Sequence, residues 1–343
     1  MSEVLGIDIG QGSLKLALIN KDSSGVLYLE NVGESKISLV AEDSNDKTKY
    51  LEEVKKSLKS LLGDQKIKLK QVVASLPESE VVSRLVRLPP LKDSEIMDAL
   101  KFEAETFVPY PLDEVSIDYE IIEKDDAGRL SVFVIAARND LIQMYVKLFK
   151  SLGLELLALE SPSVSYRRVV KNGIKTVERV VVLDLGEKYT DIFNINKGNA
   201  YFARSVPIGG ESLTRSISLG LGLDLASAEE YKKAYGIKEN ELEGKIRAAV
   251  LPVFNSITDE VRKAMTLFTE DSAGHPVELL VLSGGGANLP GMAEELTKLL
   301  GVEVQVMQPF VNIDVSKVNV PLNLNVDGCR FGLAVGLSLR GLL

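Results

Sequence analysis

The chain has 343 residues, 45% apolar and 26% charged, which excludes wholesale disorder and fibrous or collagen-like structure and leaves about two globular domains. Forty Lys and Arg against 49 Asp and Glu give a net charge of −9. This disfavours nucleic acid as a main partner, because affinity for a phosphate backbone comes from the counterions that protein cations release.

No apolar run approaches the ~18 residues of a bilayer-crossing helix. Glu3 and Asp8 interrupt the stretch where a signal peptide would sit, and a soluble folded protein is expected. With Cys329 the single cysteine and His275 the single histidine, no internal disulfide, common zinc ligand set or His-based triad can be assembled.

Residues 6–19 and 182–195 share one plan: apolar-Asp-apolar-Gly, then an alternating strand. Ile7, Ile9, Leu16 and Ile19 match Leu183, Leu185, Ile192 and Ile195 in register, which reads as an internal duplication. In both copies the glycine turn feeds a second strand, whereas P-loop and Rossmann turns feed a helix, so those two folds are set aside.

Between the copies, residues 83–88 read as a strand, and Asp93 or Ser94 caps a helix whose face is Ile96, Leu100, Ala104 and Phe107. Pro109 and Pro111 end it. Strands over 115–122 and 130–137 flank the turn Asp125-Asp126-Ala127-Gly128, and a helix bearing Leu141, Met144, Leu148 and Leu152 closes at Gly153. The block reads as an inserted α+β subdomain.

Ser161-Pro162 then starts a helix, and strands over 180–185, 190–195 and 201–206 open the second copy. Residues 209–268 are mostly helical, with Val250, Phe254, Ile257, Val261, Met265 and Phe268 as a buried stripe. A strand over 279–282 delivers Ser283-Gly284-Gly285-Gly286-Ala287-Asn288 towards a helix over 292–300.

A lone Asp-x-Gly hairpin is usually only a tight turn. Two of them facing each other would present amides to phosphates from both sides and leave Asp8 and Asp184 to hold a hydrated Mg²⁺. The triple glycine would let a nucleotide approach bare backbone.

These segments resemble the phosphate-1 (residues 6–15), phosphate-2 (183–190) and adenosine (281–291) motifs of the actin, Hsp70 and sugar-kinase superfamily. Four further strings are similar to the PilM family of type IV pilus assembly proteins, relatives of FtsA. They are Arg87-Leu88-Pro89-Pro90-Leu91 with Glu103-Ala104-Glu105, residues 107–115, Ala228-Glu229-Glu230-Tyr231-Lys232 with Tyr235-Gly236, and residues 330–337.

The resemblance implies an α/β, duplicated actin-like (ribonuclease H-like) fold with two halves around a nucleotide cleft. The subdomains would be 1–77 with 154–177, an insert over 78–153, 178–207 with 273–343, and a helical 208–272. It implies ATP and Mg²⁺ as cofactors. Asp8 would hold Mg²⁺ through water, Ser13 and Lys15 would meet phosphate, Asp184 would face Mg²⁺ or the attacking water, and Glu229 and Lys232 would lie at the ribose. Gly10, Gly12, Gly186, Thr190, Gly284, Gly285, Gly286 and Asn288 complete the expected cofactor site.

Two rival readings stay open: Lys15 could face solvent, and Glu229 with Lys232 could be an ordinary helix-surface pair. The implied partner is the short cytoplasmic N-terminal tail of a PilN-like single-span membrane protein, placing the chain at the inner face of the bacterial cytoplasmic membrane. Other pilus assembly proteins and further copies of the chain would be additional partners.

Glu187, Lys188 and Tyr189 crowd the second turn, which favours binding over turnover. The alternative, a phosphotransferase of the same fold, would draw its base from Asp184 or Glu160. FtsA itself would be expected to continue into a linker and an amphipathic membrane helix, which does not follow residue 343.

Overall fold

A computed structural model describes residues 3–37, 47–239, 241–272, 274–318 and 320–343, so the expected boundary at residue 273 lies outside the described residues. The first half opens with the antiparallel meander β1 (Leu5–Ile9), β2 (Ser13–Lys21) and β3 (Leu27–Lys36). Helix α1 (Lys47–Asp64) crosses to β4 (Gln71–Ser75), which runs parallel to β1.

The next block is β5 (Val81–Leu88), α2 (Asp93–Ala104), β6 (Val115–Lys124) and β7 (Leu130–Arg138), with β7 the central strand of an antiparallel sheet. Then come α3 (Asn139–Ser151), β8 (Glu155–Glu160) parallel to β4, and α4 (Pro162–Gly173), whose first turn is capped by the Ser161 hydroxyl.

The second half repeats the plan. Its meander is β9 (Arg179–Leu185), β10 (Thr190–Asn196) and β11 (Asn199–Val206), followed by α5 (Gly210–Leu221), α6 (Leu225–Tyr235) and α7 (Lys245–Asp271). Then β12 (Leu279–Ser283) joins β9 in parallel, and α8 (Met292–Leu300) leads to β13 (Glu303–Val306), parallel to β12. The remaining elements are β14 (Ile313–Asp314), α9 (Leu324–Asp327) and α10 (Gly332–Ser338).

The sheets run β14-β3-β2-β1-β4-β8 and β11-β10-β9-β12-β13. Strands β9 to β13 take the places of β1 to β4 and β8, so the duplication read from the two Asp-x-Gly segments extends over five strands.

Two details depart from the sequence reading. Helix α2 ends at Ala104 rather than reaching Phe107. Val108 precedes Pro109 and is disfavoured in helix, and Thr106 Oγ1 turns back to the Glu103 carbonyl at 2.7 Å. Phe107 still packs against the insert's sheet, with the Arg84 guanidinium 5.4 Å above its ring. Helix α3, read as closing the insert, buries Leu141, Tyr145, Leu148 and Phe149 in the core of the first half, beside β1, β2 and α1. The apolar core of the insert therefore lies within β5, α2, β6 and β7.

Helix α10 is buried along its whole length. Ser338 Oγ accepts from the Ile19 amide at 2.8 Å and donates to the Val4 carbonyl at 3.1 Å, pinning the helix to β1 and β2. A Cβ at Gly6 would strike the Ala334 carbonyl and the Ser338 amide, and one at Gly336 would strike the Ser165 carbonyl on α4. Backbone atoms cannot swing aside as a side chain can.

Gly6→Ala and Gly336→Ala should therefore each destabilise by about 1–3 kcal/mol or more through overpacking. Gly63→Ala on α1, where an added methyl meets nothing within 4 Å, should instead stabilise by about 0.5 kcal/mol. Urea denaturation of the three variants checks the contrast.

Candidate functional site

The two halves enclose a cleft of about 810 Å³, within the range of ligand sites. The two hairpin turns reach it from opposite sides and are built alike. Gly10 N–H donates to Ser13 O at 3.1 Å, and Gly186 N–H donates to Tyr189 O at 3.0 Å.

Each turn is braced from behind. Tyr50 on α1 donates to the Gly10 carbonyl at 3.0 Å, while the first amides of α5, Gly210 and Glu211, donate to Gly186 O and Glu187 O at 2.9 and 2.8 Å. The amides of Gln11, Gly12, Glu187 and Lys188 have no acceptor among the described residues. Unsatisfied turn amides of this kind form anion-binding nests.

Strand register sets the charges. Asp8 pairs across the hairpin with Lys15, whose ammonium lies 3.7 Å from its carboxylate; both line the cleft and are largely buried, so Lys15 does not face bulk solvent. At the matching position of the second hairpin, Asp184 pairs with Asp191. A cation–carboxylate pair in one copy is a carboxylate pair in the other.

Burial raises Asp8 to about 6 despite Lys15, with Asp184 and Glu34 adding to the shift. Asp184 is raised by burial, against the hydrogen bond from Tyr166 at 2.8 Å and the charge of Lys15. Burial and then Asp184 push Asp191 up to about 7, and its Oδ1 has no hydrogen-bond partner. Glu78, which accepts from Ser161 Oγ at 2.9 Å, is raised well above the usual carboxylate range by burial and by Asp191.

This excess of desolvated carboxylate fits a cation. Among the described residues no three His, Cys, Asp or Glu side chains are grouped to ligate an ion directly, so Mg²⁺ would sit between Asp8 and Asp184 within its own water shell.

The third loop crosses the end of β9 directly below Asp184. Gly284 has φ of 81°, and a Cβ there would collide with the Asp184 carboxylate, so the position requires glycine twice over. A 3-10 turn over Gly285–Asn288 intervenes before α8, so the triple glycine does not open that helix itself.

The cleft collects every expected cofactor residue except Thr190 and Asn288. Thr190 Oγ1 donates to Ile208 O at 2.7 Å and Asn288 Nδ2 to Val326 O at 2.7 Å, so both brace loops instead. Lys232 is buried, with its ammonium on Gly210 O at 3.0 Å, Thr214 Oγ1 at 2.8 Å and Glu229 at 2.6 Å. Two of its protons tie α6 to α5 through Gly210 and Thr214, and the third is held by Glu229 on α6 itself. The Glu229 and Lys232 pair is thus neither an ordinary surface pair nor free to move.

Glu160 is bound by Arg168 at 2.7 Å, Arg340 and Ser165, and the hydrogen-bonded Arg168 and both guanidinium charges hold it below its usual range against the opposing effect of burial. It is a structural anchor rather than an available base.

Sequence reasoning missed Asp191, Glu78 and Arg330, which line this cleft, and Tyr166, a buried residue that hydrogen-bonds Asp184. Asp191 carried a signal, since it stands at the repeat position of Lys15. Tyr166 comes from α4, and Arg330, paired with Glu34 at 3.0 Å, comes from the turn before α10; only the tertiary fold brings them here.

The raised carboxylates predict a pH effect. A folded state that holds protons the unfolded chain releases near pH 4 loses stability as pH rises through the folded pKa values, so the cation-free protein should weaken between about pH 4 and 7. Asp191→Asn should match wild type near pH 3.5 and exceed it by about 2–4 kcal/mol at pH 8, measured by urea denaturation. Equal stability at pH 8 would mean that Asp191 carries no buried-charge penalty.

Comparisons with known proteins agree with this geometry. The family model described as type IV pilus assembly protein PilM matches residues 6–342. Cell division protein FtsA of Staphylococcus epidermidis is 23% identical over 260 residues, 68% of this chain and 50% of the relative. FtsA of Neisseria meningitidis is 24% identical over 301 residues, 77% of this chain and 65% of the relative. The chain thus spans about half to two thirds of the length of these curated relatives.

Among solved structures, a PilM-PilN type IV pilus biogenesis complex superposes with a TM-score of 0.81 at 25% identity, covering 100% of this chain and 99% of the other. MreB5 of Spiroplasma citri bound to AMPPNP shares the fold, with a TM-score of 0.56 at 13% identity over 99% and 96% of the two chains. The fold is the duplicated actin-like one, and the chain belongs to the family of the type IV pilus assembly protein PilM.

Proposed function

We propose that this chain is an actin-like, ATP- and Mg²⁺-binding assembly protein of a type IV pilus-like machine. It holds the short cytoplasmic N-terminal tail of a PilN-like single-span protein and through it works at the inner face of the bacterial cytoplasmic membrane. The observation that carries the nucleotide reading is the pair of equivalent glycine hairpins facing each other across one cleft, with free amides at their tips and Asp8 and Asp184 between them. Membership of the PilM family and the likeness to a PilM-PilN complex support the partner. No described helix is long and apolar enough to cross a membrane.

In this reading Asp8 and Asp184 hold hydrated Mg²⁺, which supplies charge neutralisation for the phosphates. Lys15 and Ser13 meet phosphate oxygens, and Glu229 and Lys232 fix the α5–α6 wall on the ribose side. The division into two halves, a helical subdomain and an insert is retained, with α3 assigned to the first half because its apolar face packs there. The phosphotransferase alternative loses Glu160 to its two arginines.

MgATP should raise the melting temperature by mass action, and Asp8→Ala should remove most of that rise. Turnover should stay below about 1 s⁻¹, the low end of ordinary enzymes, because Glu187, Lys188 and Tyr189 crowd the second turn. An unchanged melting temperature at saturating MgATP would remove the nucleotide from the account.

The partner tail should bind with roughly micromolar affinity. Phe102, Tyr110 and Ile121 are the exposed large apolar residues of the insert, Phe102 being 72% exposed. Alanine at one or more of them should weaken a PilN-like peptide about tenfold in calorimetry without lowering the melting temperature. If all three variants keep wild-type affinity, the peptide binds elsewhere.

A further inference from the structure

The tips of the two hairpins are not separated by open space. A Cβ placed on Gly12 would overlap the carboxylate of Glu187, and the three atoms nearest that position all belong to the Glu187 side chain. A side chain from the second half thus lies on the phosphate turn of the first.

The Glu187 backbone is clamped, since its carbonyl accepts from Glu211 N at 2.8 Å and that of Gly186 from Gly210 N at 2.9 Å. The loop cannot carry the side chain away as a unit; only rotation about the side-chain bonds can do so. No hydrogen bond or ion pair satisfies the Glu187 carboxylate among the described residues, so no partner explains why it points there.

Its surroundings are already rich in negative charge, with Asp8, Asp184 and Asp191 lining the same cleft. The adjacent amides of Gln11 and Gly12 lack acceptors, and an acceptor at that point is what a terminal phosphate would provide.

We propose that Glu187 is a specificity-determining residue of the cleft: its carboxylate stands between the two hairpin tips in the space of a third phosphate, so that a nucleoside diphosphate is favoured over a triphosphate. The inference rests on the nucleotide reading and adds the length of the phosphate chain to it. A triphosphate must rotate Glu187 out and bring its own negative charge close to it. A shorter chain meets neither cost. Glu187 is exposed to solvent at the mouth, so replacing it should leave the fold intact.

The experiment titrates wild type, Glu187→Gln and Glu187→Ala with MgADP and with MgATP by calorimetry at one ionic strength and one free Mg²⁺ concentration, after melting curves establish that the variants fold. The ratio of ATP affinity to ADP affinity should rise about tenfold in Glu187→Ala, equivalent to about 1.4 kcal/mol. The rise in Glu187→Gln should be smaller, since that change removes the charge and keeps the bulk.

A ratio within about twofold of wild type in both variants, with nucleotide binding intact, overturns the role of Glu187 and leaves the nucleotide reading standing. Failure of all three proteins to bind either nucleotide overturns both. Binding of ATP by the variants alone would support the proposal in its strongest form.

Discussion

The structure depends on one electrostatic constraint: duplication brings two Asp-bearing hairpins together and places their carboxylates at the same low-dielectric point. Asp8 has Lys15 opposite it, but Asp184 has Asp191, and Glu78 adds a further buried acid. Like charges in a desolvated cleft repel far more strongly than in water. Burial accordingly raises these carboxylates above their ordinary range, and a hydrogen bond from Tyr166 fixes Asp184. A hydrated cation would be a further answer, and one that would make the cleft responsive to a ligand. The braces from α1 and α5 behind each turn matter for the same reason, since charges that repel must be held in place.

Much of this was legible in the sequence, and the reasons differ by element. Local chemistry revealed the glycine turns, because a hairpin whose amide must close on the next strand needs the same residues in both copies. The helical stripe of α7 was legible because burial of one face imposes its period, and Val250, Phe254, Ile257, Val261 and Phe268 are all in the core. Thr190 and Asn288 were placed at the cofactor because they lie inside motif strings, yet a string does not say which way a side chain turns; both turn towards neighbouring carbonyls. Tyr166 carried no local signal at all. Helix α3 was assigned to the insert by adjacency, whereas its apolar face follows the larger core available on the other side.

The insert touches both halves. Strand β5 leaves the Glu78–Glu80 turn that lines the cleft and lies against β11, with Leu85 and Ile122 packed on the main core. Arg87 pairs with Asp271 at 3.1 Å on the second half, and Glu120 with Arg167 at 2.5 Å on the first. A block attached at both sides of a cleft cannot follow one half without shearing against the other. A ligand seated on the insert would therefore bear on both halves, more through the apolar packing than through the exposed and weak Arg87 bridge.

The placement of α10 has a consequence for how the protein is made. Its Ser338 bonds to Val4, 334 residues away; its Gly336 lies against Ser165 of α4, and Gly6 of β1 lies against its own backbone. At ordinary ribosomal rates, roughly twenty seconds to a minute separate synthesis of these two partners. Throughout that interval the side of β1 and β2 that α10 will cover can pack on β3, β4 and α4 but lacks the helix that closes it. The nascent chain thus exposes part of an apolar sheet face for most of its synthesis, and that face is open to chaperones and to other nascent chains until the C-terminal helix emerges.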